Sequence, residues 1–468
     1  MGDIFGGGAF LIIGMLFLFF LTEVVGLSPG MASLVFLIGK GWDAISDPLM
    51  GYISDRTKSP FGRRRVYFLA GIIPIAASFI IMWLHLETTS QWALFAYYSF
   101  AYVLFSTVFT MVMIPFAAIN AEMSPDYKVR ARLSGARIIF SGFAALLGGT
   151  LPKIIINNYP DSTPTGYIVM AVCFGLFFAL PFIGVFFGTW ELPRKEEEKS
   201  DSSLSVFREF FSIMKNKSFR IHMGMYIFAY TAMDILMALF AYYITYYIGR
   251  PGAYSIAMGA LLLTQIIMMP VYVTIGNRKG KGFAYKMGMG IWFTGMLLTL
   301  TLSSASPLVW IAAVCAFIGM GTSAAVLIPW AILPSVIDVD ELITGEMRSG
   351  IYSGAMTLSR KLIQGLIAMP LIGVTLQAIG FVSNQTQGPE VLRGMQIFFT
   401  AGPCILILTG IIIGIKFKIT PETHKILSDE LSRLKEGGTK ADATPETIKI
   451  CEELTGMPYE RLYSKQTE

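Results

Sequence analysis

Residues 40–50 read Lys-Gly-Trp-Asp-Ala-Ile-Ser-Asp-Pro-Leu-Met and lie inside an otherwise apolar stretch, 31–53. A helix needs about 20 apolar residues to cross the hydrocarbon core of a bilayer. A charged side chain at the centre of that core costs about 3 kcal/mol, so Asp43 and Asp47 require an explanation. Their i, i+4 spacing places both carboxylates on one face of a helix. The stretch therefore predicts a membrane span that carries a charged site.

Two carboxylates on one helix face repel each other, and a bound cation removes that repulsion. Hard ions such as sodium and lithium favour oxygen ligands, and a proton can instead neutralise one carboxylate. Ser46 on the same span and Thr110 on the fourth span supply hydroxyl oxygens. We therefore predict a site for a monovalent cation at Asp43, Asp47, Ser46 and Thr110.

A purely structural interpretation of the two aspartates stays open. Lys40 lies three residues before Asp43, and Lys361 lies in a late apolar segment, so both lysines are candidate ion-pair partners. The two interpretations are compatible if a lysine and a cation exchange during a transport cycle.

The composition of the whole chain indicates a protein embedded in lipid. Its 468 residues are 54% hydrophobic and 14% charged, whereas a soluble domain carries about 25% charged residues. The apolar runs lack the alternation of a membrane barrel, so each should be a helix. Twelve spans are predicted, at 4–26, 31–53, 66–86, 92–120, 132–156, 165–190, 219–248, 254–276, 284–304, 308–334, 349–379 and 395–417.

Basic segments at 54–65, 191–220 and 276–286 all follow even-numbered spans. By the positive-inside rule the basic side is cytoplasmic, so both termini lie in the cytoplasm. We expect the protein in the cytoplasmic (inner) cell membrane. The matching basic loops after spans 2 and 8 indicate an internal repeat, which is typical of carriers built from two bundles. The predicted regions are a six-helix bundle at 1–190, a cytoplasmic linker at 191–218, a second six-helix bundle at 219–417 and a solvated cytoplasmic tail at 418–468.

Further polar side chains lie within the predicted spans and favour a solute site between the bundles, because buried ionisable groups in membranes are usually functional. The candidates for substrate binding are Arg137, Lys361, Asp234, Lys40, Gln364 and Asp3. Tyrosines cluster in spans 4 and 7, where an interfacial aromatic belt is favoured over a cavity lining. They are Tyr97, Tyr98, Tyr102, Tyr242, Tyr243, Tyr246 and Tyr247.

Charged residues at the predicted cytoplasmic ends of spans favour a latch between helices, in which acidic side chains meet arginines and helix termini. Such a latch would break when the carrier opens inward, although the basic residues also serve simply to set orientation. The latch candidates are Asp55, Arg56, Arg63, Arg64, Glu122, Asp338, Asp340 and Arg348.

At these residues the sequence resembles a known family. The Gly51–Arg65 loop is similar to the signature loop of the major facilitator superfamily. Trp42–Pro48, Met113–Phe116, Val336–Leu342 and Arg360-Lys361-Leu362 together resemble the glycoside–pentoside–hexuronide:cation symporter family, its melibiose permease-like branch. The resemblance implies an all-α fold of twelve transmembrane helices in two six-helix bundles, with alternating access and symport driven by sodium, lithium or protons.

The resemblance also implies roles for single residues. Asp43 and Asp47 match the family's cation-binding pair, Thr110 and Ser46 match neighbouring ligand positions, and Arg137, Lys361 and Lys40 match its cationic residues. Galactoside-carrying members have carboxylates or a tryptophan where this chain has Gly7, Met113 and Ala117. We therefore expect a different sugar, glycoside or uronide. An acidic sugar such as a uronide would place its carboxylate against Arg137 or Lys361. A lysophospholipid or another amphipathic solute is the alternative.

Other classes of function are less well supported. The sequence has no G-x-x-x-x-G-K-[ST] phosphate loop, nucleophile elbow or metal-ligand spacing, which argues against an enzyme or an ATP-driven pump. The six-plus-six pattern argues against a channel or receptor. We expect no cofactor beyond the coupling ion, no nucleic acid partner, a small sugar-like substrate and a monomer in the lipid bilayer.

Overall fold

A computed structural model describes residues 1–123, 127–160, 162–191, 212–383 and 385–463. Within these residues the regular structure is helical, and twelve helices have 18 residues or more. In chain order these are α1 Asp3–Glu23, α2 Pro29–Arg56, α3 Arg65–Met82, α4 Gln91–Glu122, α5 Tyr127–Asn157, α6 Thr163–Gly188, α7 Lys217–Tyr247, α8 Tyr254–Lys279, α9 Lys281–Leu298, α10 Leu308–Thr344, α11 Ser349–Ala378 and α12 Pro389–Ile415.

Among the described helices, ten are long and apolar enough to cross a membrane, and α2 and α9 are the two others. The helix α2 contains the charged residues Lys40, Asp43 and Asp47, which lower its apolar character. The helix α10 continues to Thr344, beyond the expected end at 334, so the acidic residues after that point extend the same helix.

The helices pack in two groups that follow the order of the chain. In the N-terminal half α1 packs on α5, and α4 packs on α2 and α3; in the C-terminal half α10 packs on α8 and α9, and α12 packs on α7 and α9. The two halves meet where α2 contacts α11, where α5 contacts α8, and where α1 contacts α7. The chain therefore has two six-helix bundles with a long interface between them. Much of the predicted linker, 192–211, lies outside the described residues.

Three helices at the interface contain a π-helical turn, at Ile13–Phe17 in α1, Tyr243–Tyr247 in α7 and Gln364–Ala368 in α11. Such turns are uncommon and often lie at functional sites, because they re-aim the side chains around them. The turn in α11 begins three residues after Lys361. In α2, Pro48 removes a backbone donor immediately after Asp47, which loosens the helix beside that carboxylate.

The two halves close on each other at one end. The Thr22 and Tyr242 hydroxyl oxygens lie 2.7 Å apart, and the Tyr246 hydroxyl donates to Glu23. We call this the closed end; it lies opposite the end that carries the tail. At Gly373, a Cβ would lie 2.5 Å from the Pro29 carbonyl oxygen, so glycine is needed for α11 to approach α2 this closely.

The tail forms two helices, α13 Pro421–Lys435 and α14 Pro445–Thr455. Lys435 Nζ lies 2.7 Å from Glu341 at the end of α10, and Ser218 Oγ donates to the Leu454 carbonyl oxygen at 2.6 Å. Leu427 and Cys451 are fully buried. The apolar faces of both helices pack on the C-terminal bundle, while most of their other side chains stay at least partly exposed. That the tail lies in the cytoplasm stays a prediction.

Candidate functional site

The two aspartates of α2 meet a lysine from the opposite half. Lys361 Nζ forms an ion pair with Asp47, and it lies 3.7 Å from Asp43 Oδ2. Lys40, one turn before Asp43, lies 3.4 Å from the same Asp43 oxygen. Because Lys361 belongs to α11, these contacts join the N-terminal and C-terminal bundles through charged groups.

Hydroxyl groups complete this arrangement. Thr110 Oγ1 on α4 donates to Asp47 Oδ1 at 2.7 Å, and Ser46 Oγ lies 3.4 Å from Thr110 Oγ1. The Asp43 side chain is 0% exposed, and its Oδ1 has no hydrogen-bond partner among the described residues. The structure thus brings together the four predicted cation-site residues. The name α2–α11 cluster is used below for Asp43, Asp47, Ser46, Thr110, Lys40 and Lys361.

The charges of the α2–α11 cluster balance. Two carboxylates face two ammonium groups, which suits a buried position because isolated buried charges are costly. Lys40 is only 5% exposed, and its Nζ lies 3.7 Å from the centre of the Phe10 ring. The contact of Lys40 with Asp43 agrees with its expected role as an ion-pair partner, and its role in substrate binding stays a prediction.

A second charged group lies on α7 and α11. Gln364 Nε2 donates to Asp234 Oδ1 at 3.0 Å, and Arg360 lies 3.6 Å from the same oxygen. The Arg360 guanidinium lies 4.2 Å from the centre of the Tyr230 ring. Sequence reasoning gave Arg360 no role, although its position beside Lys361 in an apolar segment was a signal for one.

A third charged group joins α1 and α5. The Arg137 guanidinium binds the Asp3 carboxylate through two nitrogens, with Nη2 donating to Oδ1 at 3.1 Å, and it lies 4.8 Å from the centre of the Phe116 ring. Both residues line a cavity of about 850 Å³ between α5 and α8. Gln265 also lines this cavity, whose other walls are mainly apolar.

The structure explains the position of Gly7. A Cβ at Gly7 would lie 2.2 Å from Ser141 Oγ and 2.8 Å from the Ser141 carbonyl oxygen. No side chain, and so no carboxylate, fits between α1 and α5 at this point. Met113 comes close to the same helix, because its Cε lies 2.7 Å from the position of a Cβ at Gly6.

Three acidic latch candidates, Asp55, Asp338 and Asp340, meet basic side chains of their own half of the chain. Arg64 donates to Asp55 at 2.6 Å, and Arg348 binds both oxygens of Asp340 at 2.8 and 2.6 Å. His424 Nε2 of the tail lies 2.8 Å from Asp338 Oδ2.

The latch candidates Arg56 and Arg63 contact Tyr52 and Glu191. Glu191 is not among the latch residues predicted from the sequence. The Arg56 guanidinium stacks on the Tyr52 ring at 3.5 Å, while the Arg63 side chain lies 4.0 Å from Glu191. Glu191 also accepts hydrogen bonds from the backbone of Arg63 and Arg64. The side chain of Glu122 lies outside the part of the chain that the structure describes. A latch between helices that breaks when the carrier opens inward stays a prediction.

Four of the seven tyrosines of spans 4 and 7 lie inside the protein and not in an interfacial belt. Tyr98, Tyr102, Tyr242 and Tyr243 are fully buried inside the protein. Burial follows from their partners, since the Tyr243 ring stacks on Phe399 at 4.0 Å between centroids. The belt interpretation is wrong for these four residues because they pack between helices.

Two charged residues at the closed end were not singled out from the sequence. Glu23 is the last residue of α1 and accepts a hydrogen bond from Tyr246 of α7. Lys153 lies in the last turns of α5. The rule that marked Asp43, a charge within an apolar run, also applies to Lys153.

Residues 1–421 match the family model described as MFS/sugar transport protein. Three curated relatives span most of this chain. A Synechocystis protein named "Uncharacterized symporter sll1374" is 26% identical, over 88% of this chain and 92% of its own. The "Putative sulfoquinovose importer" of Salmonella typhimurium is 26% identical over 95% and 93%. The "Sodium-dependent lysophosphatidylcholine symporter 1" of Gallus gallus is 23% identical over 93% and 88%.

Solved structures share the fold. The crystal structure of a D-xylose-proton symporter superposes with a TM-score of 0.63 at 16% identity, covering 90% of this chain and 96% of its own. The twelve-helix, two-bundle fold predicted from the sequence is confirmed by this likeness and by the family match. The chain is a member of the MFS/sugar transport protein family, whose relatives and structural neighbours are transporters and not enzymes.

Proposed function

We propose that this protein is a secondary active transporter that couples a sodium, lithium or hydrogen ion to the symport of an acidic sugar or uronide. The observation that carries the proposal is the α2–α11 cluster, in which Lys361 of one half pairs with Asp47 and Asp43 of the other. A cation site whose ligands and competing lysine lie on opposite bundles links ion binding to bundle movement.

The Lys361 ammonium is itself a monovalent cation held by the two aspartates. When the bundles rotate to open the closed end, α11 moves relative to α2, and Lys361 is drawn away from the carboxylates. Asp43, Asp47, Ser46 and Thr110 then offer oxygens to a hard cation. On return to the conformation described here, Lys361 displaces the ion into the cytoplasm.

Coupling follows from the cost of unpaired buried charge. A carrier that holds only the cation or only an acidic solute leaves charge uncompensated in a low-dielectric cavity, which is strongly unfavourable. In the empty carrier the two lysines neutralise the two aspartates. In the fully loaded carrier the bound cation neutralises the charge of the acidic solute. By linkage, the cation and solute increase each other's affinity by the same factor.

Arg137 supports an acidic solute. Its planar guanidinium can bind a carboxylate or sulfonate through two hydrogen bonds, as it binds Asp3 in this structure. Gly7 and Met113 remove the acidic groups that galactoside-carrying members use. The likeness to a sulfoquinovose importer agrees, since sulfoquinovose is a sugar with an anionic sulfonate. We assign solute binding to Arg137 and Asp3, with Asp234, Gln364 and Arg360 on the opposite half.

The cavity between α5 and α8 favours an amphipathic solute as the second candidate. Its walls include Ile138, Ile139 and Phe143, which are largely exposed. An acyl chain could lie along these side chains while an anionic head group meets Arg137. The likeness to a lysophosphatidylcholine symporter agrees with this alternative.

Uptake by proteoliposomes tests the proposal. Glucuronate, a sulfonated sugar, neutral glycosides and a lysophospholipid would each be supplied with sodium, lithium and proton gradients imposed one at a time. We expect one ion gradient to drive uphill accumulation of an acidic sugar, and Asp47→Asn to abolish the stimulation. Accumulation of the lysophospholipid alone would select the second candidate. Equal uptake without any gradient would contradict symport.

We also propose that the protein acts as a monomer in the cytoplasmic membrane with both termini inside. The conformation described here then faces the cytoplasm, because the closed end lies opposite the tail. Cleavage of the tail in inside-out vesicles, and its protection in intact cells, is the expected result.

A further inference from the structure

A cavity of about 470 Å³ lies at the closed end, between the two bundles and away from the α2–α11 cluster. Its walls come from α1, α5 and α6 of the first half and from α7 of the second. Its polar lining includes Glu23, His85, Lys153, Tyr167, Thr245 and Tyr246.

Lys153 is the cationic group of this cavity. Its side chain is only 5% exposed, and Nζ lies 4.5 Å from the centre of the Phe19 ring. An aromatic face attracts an ammonium group, but it satisfies none of the three N–H donors in the way an oxygen would. The Glu23 carboxylate, which lines the same cavity, accepts a hydrogen bond from the Tyr246 hydroxyl and attracts the Lys153 ammonium electrostatically.

Three further polar groups around the cavity are unsatisfied. Tyr167 is 0% exposed, and its hydroxyl has no hydrogen-bond partner within the described ranges. The same holds for Thr245 Oγ1 and His85 Nδ1, which are also buried. A buried polar group without a partner is destabilising by about 1–3 kcal/mol, so three such groups beside Lys153 indicate an occupant with acceptor oxygens.

We propose that this cavity is a second binding site, for a small hydroxylated organic anion. The carboxylate or sulfonate of the anion meets Lys153, and its hydroxyl groups meet Tyr167, Thr245 and His85. The site is assigned from these side chains alone. Only the identification of its occupant as the transported acidic sugar depends on the proposed function.

Occupation of this site favours the conformation described here. Lys153 and Tyr167 belong to the first half, and Thr245 belongs to the second, so the walls separate when the closed end opens. A ligand that binds only the assembled walls shifts the population towards the closed arrangement. The site would therefore hold the solute-accepting end shut when the external acid is abundant.

Trp83 provides a local reporter. Its ring is stacked on Tyr167, with centroids 5.7 Å apart and an interplanar angle of 14°. In a variant whose six other tryptophans are phenylalanine, glucuronate should change the Trp83 fluorescence saturably, while a neutral methyl glucoside should not. Lys153→Met should weaken the glucuronate response at least about tenfold, because a charge-assisted hydrogen bond is lost. Lys416→Met, an exposed lysine at the other end, is the matched control and should leave it unchanged.

Two more variants separate this site from the central one. Asp47→Asn should keep the Trp83 response, because the α2–α11 cluster is not part of the cavity, whereas Tyr167→Phe should weaken the response and keep the stacked ring. A response that is absent, or equal with and without Lys153, overturns the site. If the single-tryptophan chain does not fold, the native chain serves: glucuronate should raise its melting temperature, and Lys153→Met should abolish that rise.

Uptake measured in the same variants distinguishes the two proposals. A Lys153-dependent fluorescence response without uptake of any acidic sugar would refute the proposed function and leave the second binding site at the closed end standing. Acidic-sugar uptake with no Lys153-dependent response would refute the second binding site and leave the proposed function standing.

Discussion

The ammonium group of Lys361 forms an ion pair with the Asp47 carboxylate across the boundary between the two bundles. The same nitrogen lies 3.7 Å from Asp43 Oδ2, so one lysine neutralises part of both charges. The helices α2 and α11 cannot separate here without breaking these pairs. The carboxylates that would bind the coupling ion therefore also hold the two bundles together through Lys361.

Replacing Asp47 by asparagine should abolish cation-stimulated uptake. The change removes one ligand charge and the nearer carboxylate partner of the partly buried Lys361 ammonium, which keeps only its contact with Asp43. Sodium-gradient-driven uptake in proteoliposomes measures the effect. Asp429→Asn is the control, since that carboxylate is exposed on the tail helix α13, away from the α2–α11 cluster. Sodium-dependent uptake by Asp47→Asn would show that the cation binds elsewhere.

Replacing Lys361 by methionine should tighten sodium binding by at least about tenfold. The internal competitor is lost while both carboxylates remain, so a bound cation faces no displacement by the ammonium group. Calorimetric titration with sodium measures the affinity. Net uptake should fall in the same variant, because Lys361 no longer displaces the ion from the carboxylates on the cytoplasmic side. Weaker sodium binding would contradict the exchange mechanism.

Replacing Arg137 by glutamine should discriminate acidic from neutral solutes. Loss of the guanidinium removes a two-point, charge-assisted interaction worth at least about 1.5 kcal/mol, or about tenfold in affinity. A competition assay with glucuronate and a neutral glycoside should show a decline for glucuronate alone. Arg250→Gln, which removes a hydrogen bond to the Ser306 carbonyl oxygen away from the cavity, is the control. An equal decline for both solutes would argue against an acid-binding role.

Replacing Gly373 by alanine should open the closed end. The added Cβ would lie 2.5 Å from the Pro29 carbonyl oxygen and the Ser33 hydroxyl, so α11 must move away from α2. A strain of about 1 kcal/mol shifts the conformational ratio about fivefold. Labelling of Phe19→Cys, in a chain without its native cysteines, should accelerate accordingly. Gly41→Ala, which meets nothing within 4 Å, should leave the labelling rate unchanged.

Cys451 should report on the packing of the tail. Burial, followed by the carboxylates of Glu430 and Glu452, raises the pKa of the Cys451 thiol from 9.0 to about 12. Because the packed state holds the proton more tightly, the stabilisation is complete below pH about 9 and is lost as the pH rises towards 12. In a chain with Cys451 as its one cysteine, alkylation by iodoacetamide should stay slow until the pH exceeds about 9.

An exposed thiol on the same tail provides the comparison for Cys451. Ser432→Cys lies on the solvent side of α13 and should react with an ordinary thiol pKa of about 8.5. Equal alkylation rates at the two positions at neutral pH would show that the tail does not pack on α10 in solution.

Local patterns in the sequence predicted much of the architecture. The apolar runs indicated twelve helices because membrane spans need a length and composition that can be counted, and the i, i+4 spacing put Asp43 and Asp47 on one face. The ends of helices were less predictable. The helix α10 passes beyond 334 because its acidic residues bind Arg348, Lys435 and His424 instead of ending the helix.

By itself the sequence determined which helices exist, which charges lie inside them and which side chains could hold a cation, since these properties depend on neighbours along one chain segment. The tertiary structure decided the partners: Lys361 with Asp47, Arg137 with Asp3, and Arg360 with Asp234. It also decided which end is closed, and it buried Lys153 beside a cavity. These relationships join residues more than 100 positions apart, and they arise only when helices pack, because packing sets the distances on which charge interactions depend.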